Sequence, residues 1–346
     1  MSSNPLPSNT SRLGGCTLTG ALSVTTSVSD SISIVHGPKG CSHHNFSLLH
    51  TIALENNRLN LPSVYSSGLL ESEIIFGGEA ALERAIAAGA SSSPKCIFVL
   101  STCVAETIGD DVFAVCSMDW GVPVIPVPTA GFLGGAFQNG VLNALSTLSD
   151  GVSPGSPDGT VNIIGEKNLE FEVEENYTEV LRLLSALGLS VNLRFIHQIS
   201  YDEIPQLARA SFNVLRDKEV VPLGDHLKVR FGMPYLESFP VGLAGTLRFL
   251  EMAADTCGVS YHAAVQDERA VQEELVADFS DLSGARIVLP PQGVSAGDGA
   301  VIREVVTALG MKIADSGLCV PMSLSPPVGT SGIRRMIHRW RRMIRA

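Results

Sequence analysis

What this chain lacks narrows it first. No uninterrupted apolar run approaches the roughly 20 residues needed to cross a bilayer, so no membrane span is expected. Charged residues are scarce at 17% against 45% hydrophobic, the balance of a chain with a sizeable buried core and not of a disordered one. Met1 to Ser11 has neither a basic start nor an apolar centre, which predicts no secretion signal and a cytoplasmic setting. There is no Cys-x-x-Cys pair, and seven cysteines at irregular spacing make neither a disulfide framework nor a zinc module. There is no Gly-x-x-x-x-Gly-Lys-Ser/Thr loop either. Gly37-Pro38-Lys39-Gly40 lacks its spacing and its hydroxyl residue, so ATP use is not expected of this chain. A formal charge of −11 argues against nucleic-acid binding, which needs a basic surface.

What is present is a repeated alternation of β-branched runs and helical stretches, the pattern of parallel α/β layers. Strands are predicted at Ser31–His36, Cys96–Leu100 and Val122–Val127, and helices at Glu79–Ala88, Thr107–Met118 and Gly131–Leu148. These define a first domain over residues 14–150, after a polar segment, 1–13. Linker composition over Ser149–Gly159 marks a boundary. A second α/β domain, 151–283, follows with strands Val161–Gly165 and Val191–Ile196 and helices Tyr177–Leu187 and Gly242–Thr256. A partial third, 284–316, has strand Arg286–Leu289, a Gly-rich turn Gly293–Gly299 and helix Ala300–Leu309. Residues 317–346 read as a Pro/Ser-rich and then Arg-rich amphipathic tail, without the strand and helix pairs that would complete a sheet. The third unit is therefore expected to be truncated or completed by another subunit. The arginines of the tail read as a solvated end more readily than as a site for an acidic surface or lipid headgroups.

Three cysteines stand out by their settings: Gly14-Gly15-Cys16-Thr17, Gly37-Pro38-Lys39-Gly40-Cys41-Ser42 and Ser101-Thr102-Cys103-Val104. Each is expected where a strand gives way to a loop of small residues, which lets backbone amides approach the sulfur. A thiolate-held iron–sulfur cluster needs that closeness. The competing reading is that all three are core thiols, since free cysteine is often buried. Cys96 and Cys116 are expected in the core, and Cys257 is read as structural despite His262 nearby.

The order Gly15-Cys16-Thr17-Leu18-Thr19-Gly20-Ala21, His36-Gly37-Pro38-Lys39-Gly40-Cys41, Phe76-Gly77-Gly78-Glu79 and Ser101-Thr102-Cys103-Val104-Ala105-Glu106-Thr107-Ile108-Gly109-Asp110-Asp111 is similar to the component 1 superfamily of nitrogenases, in a β-subunit-like pattern. The similarity is strong over residues 14 to 145 and continues to about 310. It implies two to three Rossmann-like parallel-sheet domains. It also implies that Cys16, Cys41 and Cys103 hold a [4Fe–4S] or larger, P-cluster-like group at the contact with a homologous component 1 subunit, in a homo- or heterodimer. Three thiolates fall short of a complete [4Fe–4S] ligand set, so the partner is expected to add the rest.

The resemblance further implies reduction by an ATP-hydrolysing iron protein, a role for His36 in orienting its loop, and a docking face near the cluster to which acidic residues such as Glu106, Asp110 and Asp111 contribute. From the residues alone, those carboxylates complement a helix N-terminus, and His43 and His44 are equally readable as surface groups or as neighbours of the cluster. Aligning Gly232-Met233-Pro234-Tyr235 with the family's Gly-Ile-Pro-Trp puts Arg216 or a neighbour where catalytic subunits carry a cofactor cysteine, and no cysteine lies between Cys116 and Cys257. No iron–molybdenum type cofactor is therefore expected on this chain. The expected function is an oxidoreductase subunit, inactive alone, that relays electrons from the iron protein to a substrate. The alternatives are a scaffold for nitrogenase metallocofactor assembly, a tetrapyrrole reductase subunit, or a degenerate interaction protein without a cluster.

Overall fold

The computed structural model describes residues 15–58, 61–129, 135–166, 168–288, 296–315, 318–320 and 326–345. In chain order the first layer runs α1 (Thr17–Thr25), β1 (Ser31–His36), α2 (Lys39–Glu55), β2 (Val64–Ser66), α3 (Glu71–Phe76), α4 (Glu79–Ala90), β3 (Cys96–Ser101), α5 (Cys103–Ile108), α6 (Val112–Cys116), β4 (Val124–Val127) and α7 (Phe137–Asp150). Its strands lie parallel in the order β2-β1-β3-β4. β1 and β3 are buried along their whole length, which is why their apolar runs are continuous and not alternating. The two serines of β1 are hydrogen-bonded inside: Ser33 Oγ donates to Thr25 Oγ1 at 2.8 Å and Ser31 Oγ to the Val28 carbonyl at 2.8 Å.

One expected helix is two. Thr107–Met118 is interrupted because Gly109 takes a left-handed conformation at φ +81° and caps α5, after which the Asp111 carboxylate accepts from the Ala114 N–H at 2.9 Å and starts α6. The helix expected over Gly131–Leu148 begins at Phe137, with 130–134 outside the described residues.

α1 has no counterpart in the sequence reading, yet all nine of its residues are buried. It crosses α7 at a pair of glycines. A Cβ on Gly20 would stand 1.9 Å from the Phe137 carbonyl oxygen, and one on Gly140 would stand 1.8 Å from that of Thr17. The two backbones are therefore in contact, and no side chain fits between them.

The second layer comprises β5 (Val161–Ile164), α8 (Val173–Ala186), β6 (Val191–Phe195), β7 (Phe212–Leu215), α9 (Val221–Phe231), β8 (Tyr235–Leu236), α10 (Leu243–Cys257) and α11 (His262–Asp278), with parallel strands ordered β6-β5-β7-β8. The third holds β9 (Arg286–Val288), α12 (Ala296–Ala308), β10 (Lys312–Ile313), β11 (Leu318–Cys319) and α13 (Gly329–Arg345), with parallel strands ordered β10-β9-β11. Most of the expected Gly-rich turn before α12 lies outside the described residues.

The tail differs from its expectation as a solvated end. α13 presents Ile333, Met336, Ile337 and Trp340, one stripe at helical spacing, to the cluster formed by Ile287, Ile302, Val305 and Leu309, and Trp340 is fully buried. Its arginines face acids of this same chain: Arg334 meets Asp278 at 2.6 Å, Arg341 meets Asp281 at 2.8 Å, and Arg345 also reaches Asp281. Burial of the stripe is what orders the segment. The exposed ion pairs add little individually.

Gly140→Ala should lower stability by about 1–3 kcal/mol, read as a shift in denaturant midpoint, because the new methyl meets backbone that cannot give way. Gly89→Ala on α4 is the control. There the methyl would find Ile97, Ile34 and Ile32 at 3.5–3.9 Å, an ordinary contact, and the midpoint should hold or rise slightly.

Candidate metal centre

Each of the three cysteines opens a helix. Cys16 is the N-cap residue of α1, Cys41 lies in the first turn of α2, and Cys103 is the first residue of α5. A strand precedes Cys41 and Cys103, as expected, while Cys16 is preceded among the described residues only by Gly15. Helix N-termini carry partial positive charge and unpaired N–H groups, so all three sulfurs stand beside donors that suit a bound anionic group.

The positions are held from several sides. Cys16 is fixed by the α1–α7 crossing and by a backbone bridge to Ala136, and its sulfur lies 3.7 Å from Thr19 Oγ1. Cys41 and Cys103 follow neighbouring parallel strands whose ends touch: the Thr102 N–H donates to the His36 carbonyl at 2.9 Å, and a Cβ on Gly37 would stand 2.1 Å from Thr102 Oγ1. Only glycine lets the loop that leads to Cys41 lie this close to the turn that carries Cys103.

His36 closes the arrangement. Its ring is fully buried, with Nε2 at 2.8 Å from Asp110 Oδ2 and Nδ1 at 3.0 Å from Ser67 Oγ. Ser67 Oγ also accepts from the Gly37 N–H at 3.0 Å, and Asp110 Oδ1 accepts from the Gly78 N–H at 2.8 Å. One imidazole thus ties the end of β1, the loop after β2, the Gly77-Gly78 turn and the end of α5 together. Asp110, read from sequence as a helix-terminal carboxylate, is instead the buried partner of this histidine. Asp111 does the capping.

Cys41 senses the other two sulfurs. Burial pushes the Cys41 thiol above its ordinary range, and negative charge on Cys16 and then on Cys103 pushes it further. Cys16 is exposed, while Cys41 and Cys103 are half-buried. No three His, Cys, Asp or Glu side chains among the described residues stand close enough for a single metal ion. Cys96 and Cys116 are buried core thiols, that of Cys116 pushed up to about 12 by burial. Cys257 is half-buried at the end of α10, and the side chain of Cys319 lies outside the described residues. His43 and His44 are both exposed on α2.

The middle layer offers no comparable donor set. Arg216, at the end of β7, is 6% exposed, donates to Glu170 Oε2 at 3.1 Å and lies over the Phe239 ring at 4.7 Å. A hard cation paired with a carboxylate does not fit a soft metal group there.

The chain is similar to known proteins over most of its length. The chain is 30% identical over 299 residues to the nitrogenase iron-molybdenum cofactor biosynthesis protein NifE of Rippkaea orientalis, a match covering 81% of this chain and 62% of that protein. It is 26% identical over 281 residues to the nitrogenase molybdenum-iron protein alpha chain of Clostridium pasteurianum, covering 78% of this chain and 52% of that one. The fold is also that of a solved structure, nitrogenase Cp1 at pH 6.5, with a TM-score of 0.67 at 21% identity over 86% of this chain and 60% of the other. The chain thus spans about three fifths of the length of such relatives. Residues 16–320 match the family described as Nitrogenase component 1 type Oxidoreductase, and since that span takes in all three cysteine-bearing helix starts, the chain belongs to this family.

Proposed function

We propose that this chain is the cluster-holding subunit of a nitrogenase-like oxidoreductase, with Cys16, Cys41 and Cys103 as thiolate ligands of one iron–sulfur group. The observation that carries the reading is that all three cysteines open helices, two of them at the ends of neighbouring parallel strands. Three thiolates repel one another, and a group of iron cations relieves that repulsion while releasing the thiol protons. Such a group supplies low-potential one-electron storage when bound. The exposed position of Cys16 leaves room for a homologous subunit to close over the site and complete the ligand set. No residue of this chain is read as a ligand for an iron–molybdenum type cofactor.

Electron supply is assigned to an ATP-dependent iron protein. On the side of the His36 clasp, Ile75 (72% exposed), Phe76 (86%) and Phe113 (71%) stand out from α3 and α6, an unusual exposure for large apolar groups. Glu71, Glu79, Glu106 and Asp111 lie on or beside the same helices. An apolar centre among carboxylates suits a partner with an apolar contact and a basic rim.

A second reading, a scaffold for metallocofactor assembly, is favoured by the relatives named as cofactor biosynthesis proteins. Anaerobic EPR of the reduced protein with and without an iron protein separates the two. Electron relay requires ATP-dependent reduction of the bound cluster followed by substrate turnover, while a scaffold would deliver a metal group to an acceptor protein without turnover. A degenerate paralogue would carry neither iron nor acid-labile sulfide.

Cys41→Ala should lose iron, acid-labile sulfide and visible absorbance while keeping its far-UV circular dichroism. Retention of a full cluster by this variant overturns the ligand assignment. Asp110→Asn removes the charged partner of His36 and should lower stability by about 1–3 kcal/mol in denaturant titration. Asp111→Asn, which replaces one good N-cap by another, should leave the midpoint nearly unchanged.

A further inference from the structure

In an open parallel sheet, ligands enter the crevice outside the carboxyl ends of the strands, at the point where strand order reverses. In the second layer that point lies at the end of β5, flanked by β6 and β7. We infer that this chain stoppers its own crevice with the segment after β5, residues 165–172, and that the C-terminal helix α13 is the latch that keeps the stopper in place.

The stopper carries three glutamates, and each is matched to an arginine from a different element. Glu166 receives Arg194 of β6 through two bonds, at 2.6 and 3.1 Å. Glu170 receives Arg216, from the end of β7, at 3.1 Å. Glu172 receives Arg335 of α13 at 2.9 Å, and Arg339 one turn later. Between the glutamates, Asn168 Nδ2 donates to the Ser23 carbonyl of α1 at 2.7 Å and to the Ile196 carbonyl at 3.1 Å, and its Oδ1 accepts from His197 Nδ1. Asn56, at the end of α2, holds the segment from the other side: its Nδ2 donates to the Glu170 carbonyl and its Oδ1 accepts from the Glu172 N–H.

What remains of the crevice is bounded by Ser23, Val24, Phe137, Val141, Gly165 and Ile196. It encloses about 10 Å³, the room of one water molecule. Arg194 and Arg216, the cations that an anionic ligand would seek, are half-buried and buried respectively and already engaged with carboxylates. A bulky group is thus excluded by the chain itself. The stopper stands whether or not the cysteines hold iron.

The latch is the part that can be released without touching the crevice. Arg335 also donates to Asn176 Oδ1 at 2.9 Å on α8 and to Ser331 Oγ, so it is anchored independently of Glu172. α13 itself is docked by its apolar stripe. Removing the Glu172 carboxylate should therefore free the segment while α13 stays in place.

The test is hydrogen exchange followed by mass spectrometry on the full chain, with Glu172→Gln and, from the other side, Arg335→Gln combined with Arg339→Gln. Protection of amides 165–166 and 168–172 should fall at least tenfold in both variants, and Arg216 should become reactive to phenylglyoxal, while Trp340 fluorescence keeps its buried emission. Unchanged protection in the folded Glu172→Gln variant overturns the latch. So does a loss of protection that appears only together with a red shift of Trp340, because the segment would then be following the docking of α13 and not the ion pair.

Discussion

The packing of three cysteine-bearing helix starts is the constraint around which the first layer is built. A thiol brought beside two others resists ionising, and Cys41 shows the effect, with burial and both neighbouring charges acting in the same direction. The fold answers with three helix N-termini, each directing partial positive charge to one sulfur. Holding three helix starts together in turn requires close approaches that leave no room for a side chain, of backbone to backbone at Gly20 and Gly140 and of Gly37 to the Thr102 side chain. The buried imidazole of His36 then locks the loops that remain.

The first two layers treat the same topological opportunity in opposite ways. Both are parallel sheets whose strand ends could host a ligand. At the ends of β1 and β3 the chain places small residues and thiols, leaving one sulfur exposed. At the ends of β5, β6 and β7 it places arginines and glutamates that satisfy each other. The chemistry of the first set is soft and incomplete without a further ligand, while that of the second is hard and closed.

Much of this was legible in the residues, and the exceptions have physical causes. β1 was read at its observed limits because Ser31–His36 is a β-branched run ended by Gly-Pro. The break between α5 and α6 was missed because the apolar spacing continues across Gly109, and only backbone conformation reveals the stop. α1 was missed because a helix buried on every side has no amphipathic stripe, and its Thr- and Ser-rich text does not resemble a helix. The tail was misjudged for the opposite reason. Its arginines suggested solvent, while the four apolar residues between them decided the outcome. Asp110 could not have been assigned to His36 from spacing, since 74 residues separate them.

The glycine crossing of α1 and α7 carries a consequence for the order in which the centre forms during synthesis. Cys41 and Cys103 take their places once β1 and β3 have paired, but the backbone bridge to Cys16 comes from Ala136, at the start of α7. A ribosome must therefore have released about the first 140 residues before the earliest of the three sulfurs gains that partner. Until then the nascent chain holds Cys41 and Cys103 in place while Cys16 lacks its backbone bridge.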